Sequence, residues 1–256
     1  MSDYELRFGG VARLVGAAGL ARLRRAHVGV VGVGGVGSWA VEALARSGVG
    51  RLTLVDLDDV CVSNANRQLP ALEGEFGRPK VEVLARRARA INPECVVHPV
   101  AAFFSAANAA QVLETRFDYV LDAIDSLSMK CLLIASCRER GLPILTSGAA
   151  GGRRDPTALR VTDLAQASHD QLLRAVRTEL RANFGFPRGQ NLFGVECVHS
   201  VEATVYPRLD GTVCARKEAG AASRLDCDSG LGTACFVTGA FGLVAAGWMV
   251  RRMAEG

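Results

Sequence analysis

Residues suited to phosphate chemistry gather in the first half of this 256-residue chain. The run Gly32-Val33-Gly34-Gly35-Val36-Gly37 follows the apolar segment 28–32 without a break. Gly32 and Gly34 permit a tight turn and let backbone N–H groups approach phosphate oxygens with no Cβ in the way. Gly37 lets the following helix pack closely on a sheet. Alone, such a run serves packing as readily as binding; between an apolar strand and a helix it reads as a nucleotide turn. Asp56 closes the next apolar run, where an acid accepts both ribose hydroxyl protons. To this point a nicotinamide dinucleotide would fit equally well.

The residues that follow break the tie. Asp58 and Asp59 lead to Ser63-Asn64-Ala65-Asn66-Arg67-Gln68, and Gly77-Arg78-Pro79 leads to Lys80. A dinucleotide has no evident need of an added Arg and Lys. A triphosphate does, because its charge must be neutralised before a nucleophile can reach the α-phosphorus. Asp125, just beyond Asp122, suits Mg²⁺ bridging phosphate oxygens. The bland reading of Arg67 and Lys80 is solvated surface charge. Their expected place, on loops at the carboxyl edge of a sheet beside the glycine turn, favours ATP.

Such a site needs a scaffold, and the hydrophobic pattern supplies one. Strands are expected over 28–32, 52–56, 96–100, 119–123 and 143–146, and helices within 6–25 and over 38–47, 81–91 and 129–140. This alternation predicts an α/β fold, a Rossmann-like doubly wound and mostly parallel sheet. Beyond Gly152 a strand over 159–163, a helix over 171–183, a loop over 185–194 and strand-like character over 195–206 predict a mixed α/β extension. We expect a single domain over 1–256, its nucleotide-binding half at about 25–150 and its substrate and interface half at about 151–256. Residues 211–228 are polar and expected to be partly mobile. Residues 231–250 carry no formal charge and reach bilayer-spanning length. Four glycines and two threonines dilute them, so a buried helix is preferred over membrane association.

Composition narrows the class. Hydrophobic residues make up 49% and charged residues 22%, enough for a continuous core and against general disorder. The net charge of +4 is compatible with a polyanionic partner and decides nothing alone. No apolar segment resembling a signal peptide follows Met1, so the eight cysteines are expected to be reduced thiols of a cytoplasmic protein. No Cys-x-x-Cys pair occurs, which argues against a structural zinc site.

Together these motifs resemble the E1-like activating enzymes, the superfamily of ubiquitin-activating, ThiF-like and MoeB-like proteins. The matching residues are Gly32 to Gly37, Asp56-Leu57-Asp58, Ser63 to Gln68, Gly77 to Lys80 and Asp122-Ala123-Ile124-Asp125-Ser126. Within that superfamily the chain is similar, over nearly its whole length, to a tRNA-modifying dehydratase branch. That similarity rests on Arg7-Phe8-Gly9-Gly10, Asn92-Pro93-Glu94-Cys95, 147–155, Val195-Glu196-Cys197-Val198, Tyr206-Pro207, 210–214 and 226–230.

The resemblance implies an ATP- and Mg²⁺-dependent enzyme that adenylates a carboxylate, with Arg67, Lys80 and Asp125 catalytic. It places Gly32, Gly34, Gly35, Gly37, Asp56, Asp58, Asn64, Gln68 and Asp122 around the nucleotide. The implied substrate is the threonylcarbamoyl group on adenosine 37 of tRNA, cyclised with loss of water, and the implied assembly is a homodimer. Where relatives carry Arg-Tyr-x-Arg, this chain has Gly10, so Arg7 or Arg13 would have to reach across the dimer. Arg153, Arg154, Arg174, Arg177, Arg181 and Arg188 are candidate tRNA contacts. The branch is also linked to a cysteine desulfurase and its sulfur-acceptor protein. Of Cys197, Cys214 and Cys227, which that link brings forward, Cys227 is the best candidate for a sulfur role, although Asp226 and Asp228 beside it would raise its pKa. Alternative readings are a sulfur-trafficking partner, an activator of a sulfur-carrier C-terminus (disfavoured by the missing zinc cysteines) and an NAD(P)-dependent oxidoreductase.

Overall fold

The computed structural model describes residues 2–208, 210–215 and 230–256. Seven strands form one sheet: β1 His27–Val31, β2 Arg51–Val55, β3 Val96–Val100, β4 Tyr119–Asp122, β5 Ile144–Ser147, β6 Leu159–Asp163 and β7 Glu196–Ser200. Their order is β3-β2-β1-β4-β5-β7-β6. All pairings are parallel except that of β6 with β7. Every residue of β1 is buried, as an unbroken apolar run requires when helices cover both faces of a sheet. A small ribbon, β8 Tyr206–Pro207 with β9 Val213–Cys214, stands apart from this sheet.

The helices are α1 Asp3–Arg25, α2 Gly37–Arg46, α3 Lys80–Ile91, α4 Ala109–Val112, α5 Leu127–Glu139, α6 Gln171–Asn183 and α7 Cys235–Glu255. α2, α3 and α7 pack into one core with β1 and β2. α5 and α6 contribute to a second core.

Strand register lines up the carboxyl ends. Val31 pairs with Val55 on one side and Asp122 on the other, Asp122 pairs with Thr146, and Thr146 pairs with Cys197. The chain runs outward from β1 through β2 to β3, then returns to lay β4 on the other side of β1. The crevice above β1 and β4 is therefore the switch point, where open α/β sheets bind ligands.

Three details differ from the sequence expectation. α1 is a 23-residue helix because Ser2 and Glu5 form a reciprocal capping box, and it kinks at Gly16, whose φ is 77°. The strand expected over 195–206 ends at Ser200, where the Ser200 hydroxyl accepts the Glu202 N–H and diverts the chain. The short α4 between β3 and β4 was not foreseen. Most of the polar stretch 211–228 lies outside the described residues.

The apolar segment 231–250 supplies most of α7, with Val237, Phe241, Ala245 and Met249 in the core. Its glycines have a packing job. A Cβ on Gly242 would sit 2.4 Å from the Val36 carbonyl oxygen, so only glycine lets α7 cross α2 this closely. Among the described residues no helix is long and apolar enough to cross a membrane.

Candidate active site

The glycine turn sits at the carboxyl end of β1, and its glycines divide by job. Gly32 has φ 85°, and a Cβ there would meet the Ala123 carbonyl oxygen at 2.7 Å. Gly37 is forced more severely, since its Cβ would fall 1.9 Å from the Gly32 oxygen. Gly35 abuts Thr238 of α7, with a built Cβ 3.2 Å from the threonine methyl. Gly34 is different: a Cβ there would approach only the Gln68 amide, at 3.7 Å. The fold alone does not demand glycine at position 34, whereas a closely approaching ligand would.

α2 begins at this turn with no side-chain cap and no acid in its first turn. The N–H groups of Gly34 and Gly35 find no acceptor among the described residues, while that of Val33 is taken by Asp56 at 2.8 Å. An uncapped helix start beside a glycine with free space above it is a place for an anion. The other oxygen of Asp56 accepts the Asp58 N–H at 2.9 Å. These two bonds fix the carboxylate at the end of β2, between the glycine turn and the next loop.

A backbone clamp positions Lys80. Val60 donates to Arg78, Gly77 to Val60 and Lys80 to Asp58, so residues 58–60 and 77–80 run side by side. The Lys80 side chain is buried, and its Nζ lies 2.8 Å from Asp58 Oδ2. Arg67 is held by its backbone: its carbonyl oxygen accepts from Trp39 Nε1 and Thr238 Oγ1, each at 3.1 Å. Its guanidinium folds onto the Ser63 carbonyl at 2.8 Å and the Asn66 side chain at 3.0 Å. Asn64 is buried and accepts the Cys61 N–H, capping the 3-10 turn Val62–Asn64. Gln68 is buried beside Gly34, with an Oε1 that has no partner among the described residues.

Asp122 requires a correction. It does not line the open crevice, because it is fully buried and its carboxylate is occupied by Lys130 Nζ at 2.7 Å, Thr146 Oγ1 at 2.5 Å and the Ile124 N–H at 3.1 Å. It anchors the loop leading to Asp125. Asp125 itself is exposed and has no hydrogen-bond partner among the described residues. Lys130, Trp39, Thr146 and Thr238 were missed in the sequence. Only Lys130 left a signal, the one charge in the apolar stretch 127–137, eight residues after an acid.

Other expected groups are placed elsewhere. Arg7 is tied to Asp3 at 2.7 Å and to the Ile91 carbonyl at 3.3 Å, which occupies it within its own chain. Arg13 is exposed and lies along Gly9 and Gly10. Arg153 is buried, and Arg181 spends its guanidinium on the Pro187 and Gly189 carbonyls, so neither offers charge to a surface partner. Arg177 is half-buried, and burial holds its pKa below the ordinary value. Arg154, Arg174 and Arg188 remain exposed. Burial pushes the Cys197 thiol up to about 12, leaving it protonated and unreactive, while Cys214 is half-buried. Cys227 lies outside the described residues. Among the described residues no cluster of His, Cys, Asp or Glu is arranged to hold a metal by itself.

A family model matches residues 10–252. The chain belongs to the ThiF family. It is 50% identical to the tRNA threonylcarbamoyladenosine dehydratase of Escherichia coli K12, over 98% of this chain and 94% of that protein. It is 41% identical to the protein of the same name from Haemophilus influenzae, over 99% of this chain and 95% of that one. Among solved structures it is similar to the E. coli dehydratase in complex with ATP, with a TM-score of 0.88, 45% identity, and coverage of 99% and 96% of the two chains.

Proposed function

We propose that this chain is a tRNA threonylcarbamoyladenosine dehydratase. In this reading it uses ATP to adenylate the threonyl carboxylate of the modified adenosine 37 and so drives ring closure. The observation that carries the reading is the turn at Gly34, open above and bordered by an uncapped helix start, beside a buried lysine. Two relatives bearing this activity in their names match 98% and 99% of this chain, and the E. coli dehydratase was solved with ATP.

The N–H groups of Gly34 and Gly35 and the Lys80 ammonium receive the phosphates, with Arg67 supplying further charge once its guanidinium turns off its own loop. Asp56, with one bond on each oxygen, keeps lone pairs for the ribose hydroxyls. Asp125 fits Mg²⁺, which commonly takes one or two carboxylates and completes its shell with phosphate oxygens and water. The threonyl carboxylate attacks the α-phosphorus and pyrophosphate leaves. This converts a poor leaving group, an oxide, into a good one, AMP. The tethered carbamoyl group then attacks the acyl carbon, loses a proton and expels AMP, closing a five-membered ring. Proximity supplies much of the acceleration, since the nucleophile is part of the same substrate.

Two finer parts belong to the same proposal. Exposed Phe236, Leu243 and Val244 along α7, with Leu14 on α1, form the pairing face of a homodimer, across which Arg13 rather than Arg7 is free to reach. Arg154, Arg174 and Arg188 contact tRNA phosphates. The test is mass spectrometry of tRNA nucleosides after incubating the protein with ATP, Mg²⁺ and threonylcarbamoylated tRNA. The cyclised nucleoside should form only when ATP is present; unchanged tRNA would refute the reading.

A further inference from the structure

A loop at the carboxyl end of β5 is braced more heavily than its sequence, Gly148-Ala149-Ala150-Gly151-Gly152, would suggest. Asp170 is buried and carries one hydrogen bond on each oxygen. Oδ1 accepts the Leu173 N–H at 2.9 Å, capping α6, and Oδ2 accepts the Ala149 N–H at 2.8 Å. Gly148 is a glycine on this account, because its Cβ would lie 2.3 Å from Asp170 Oδ2. Arg153, also buried, grips the His169 carbonyl at 2.5 Å and the Glu202 carbonyl, joining the segment before α6 to the chain leaving β7. His169, between these braces, is the only non-glycine residue with positive φ among those described, at 56°.

This braced loop connects directly to the nucleotide site. Gly152 donates to the Gly232 carbonyl at 2.8 Å, and the next residue, Thr233, accepts from Asn66 at 2.9 Å, in the loop that carries Arg67. Thr238, five residues on, holds the Arg67 carbonyl and touches Gly35. Residues 232–238 thus run from the β5 loop to the glycine turn. Register puts the same loop next to the segment bearing Asp125, since Asp122 and Thr146 are paired.

We infer that Asp170 is a positioning residue: it holds the 148–152 loop as the wall against which the RNA-linked acyl group lies when its carboxylate meets ATP. The inference rests on the dehydratase reading and deepens it. Asp170 touches neither reactant. It acts through the Ala149 N–H and the loop that follows.

The test separates its two bonds. Asp170→Ser keeps a helix cap, since serine caps well, but is too short to reach Ala149. Gly148→Ala keeps the carboxylate and pushes the loop off it. Both variants are compared with the native protein for ATP affinity by calorimetry, and for KM and kcat with threonylcarbamoylated tRNA. Each should bind ATP within twofold of native while KM for the tRNA rises about tenfold or more. Unchanged KM in both variants, or a loss of ATP affinity matching the loss of turnover, would overturn the role of Asp170. Native protein that never turns over the tRNA would instead reject the dehydratase reading.

Discussion

Lys80 Nζ lies 2.8 Å from Asp58 Oδ2, and the two ends of this pair have different surroundings: the lysine side chain is 5% exposed, the aspartate 52%. The lysine is therefore fixed in place by the fold, while its counter-ion is open to solvent and can yield when phosphates arrive. Lys80→Ala removes the cation and leaves an exposed acid that water can solvate. Pyrophosphate release with threonylcarbamoylated tRNA should fall by ~10²–10³-fold, the scale of losing one aligned electrostatic partner in a site. Far-ultraviolet circular dichroism should stay native.

The two glycines of the turn should respond in opposite ways. Gly37→Ala drives a Cβ into the Gly32 carbonyl and should cost about 3 kcal/mol in chemical denaturation. Gly34→Ala adds only an ordinary contact with the Gln68 amide and should fold normally, yet bind ATP at least tenfold more weakly by calorimetry. Equal stability losses would mean that the turn serves packing alone.

The Asp122–Lys130 pair, buried completely on both sides, should behave as a structural anchor. Lys130→Met leaves an uncompensated buried carboxylate and should destabilise the protein by about 3–5 kcal/mol in urea unfolding. A loss below about 1 kcal/mol, the size expected of an exposed pair, would remove Asp122 from that role.

Acid sensitivity should include a contribution from His199. Burial lowers its pKa below 6.5, against hydrogen bonding to the Ser168 carbonyl, which raises it. A depressed folded pKa gives stability that is complete above the unfolded value and lost as pH falls through the folded one. The Tm of the native protein should therefore drop more steeply from pH 7.5 toward pH 5 than that of His199→Gln. Parallel curves for the two would show that His199 carries no such linkage.

Much of the fold was legible because strands buried on both faces leave unbroken apolar runs, as in the expected strand 28–32, which forms at His27–Val31, and because Gly32 to Gly37 marks a strand-to-helix turn. α6 was readable from its amphipathic spacing at 171–183. Asp122 was misplaced for a physical reason. Its neighbour in sequence, Asp125, faces solvent, and the one local hint, a lysine set in an apolar helix eight residues on, does not by itself say which of the two acids it claims. Arg153 and Arg181 were expected to contact tRNA, yet Arg153 holds the Glu202 and His169 carbonyls, brought near by tertiary contacts, and Arg181 holds carbonyls of the loop that follows its own helix. The kink and full length of α1 depend on Gly16 and on the Ser2–Glu5 box, of which only the second is a local signal.

The central claim is that the substrate carboxylate attacks the α-phosphorus of ATP. It is tested most directly by placing heavy oxygen in the threonyl carboxylate and following the label. Adenylation predicts one labelled oxygen in the AMP released with each cyclised nucleoside. Label in inorganic phosphate, accompanied by ADP, would contradict the account, because the carboxylate would then have attacked the terminal phosphate instead.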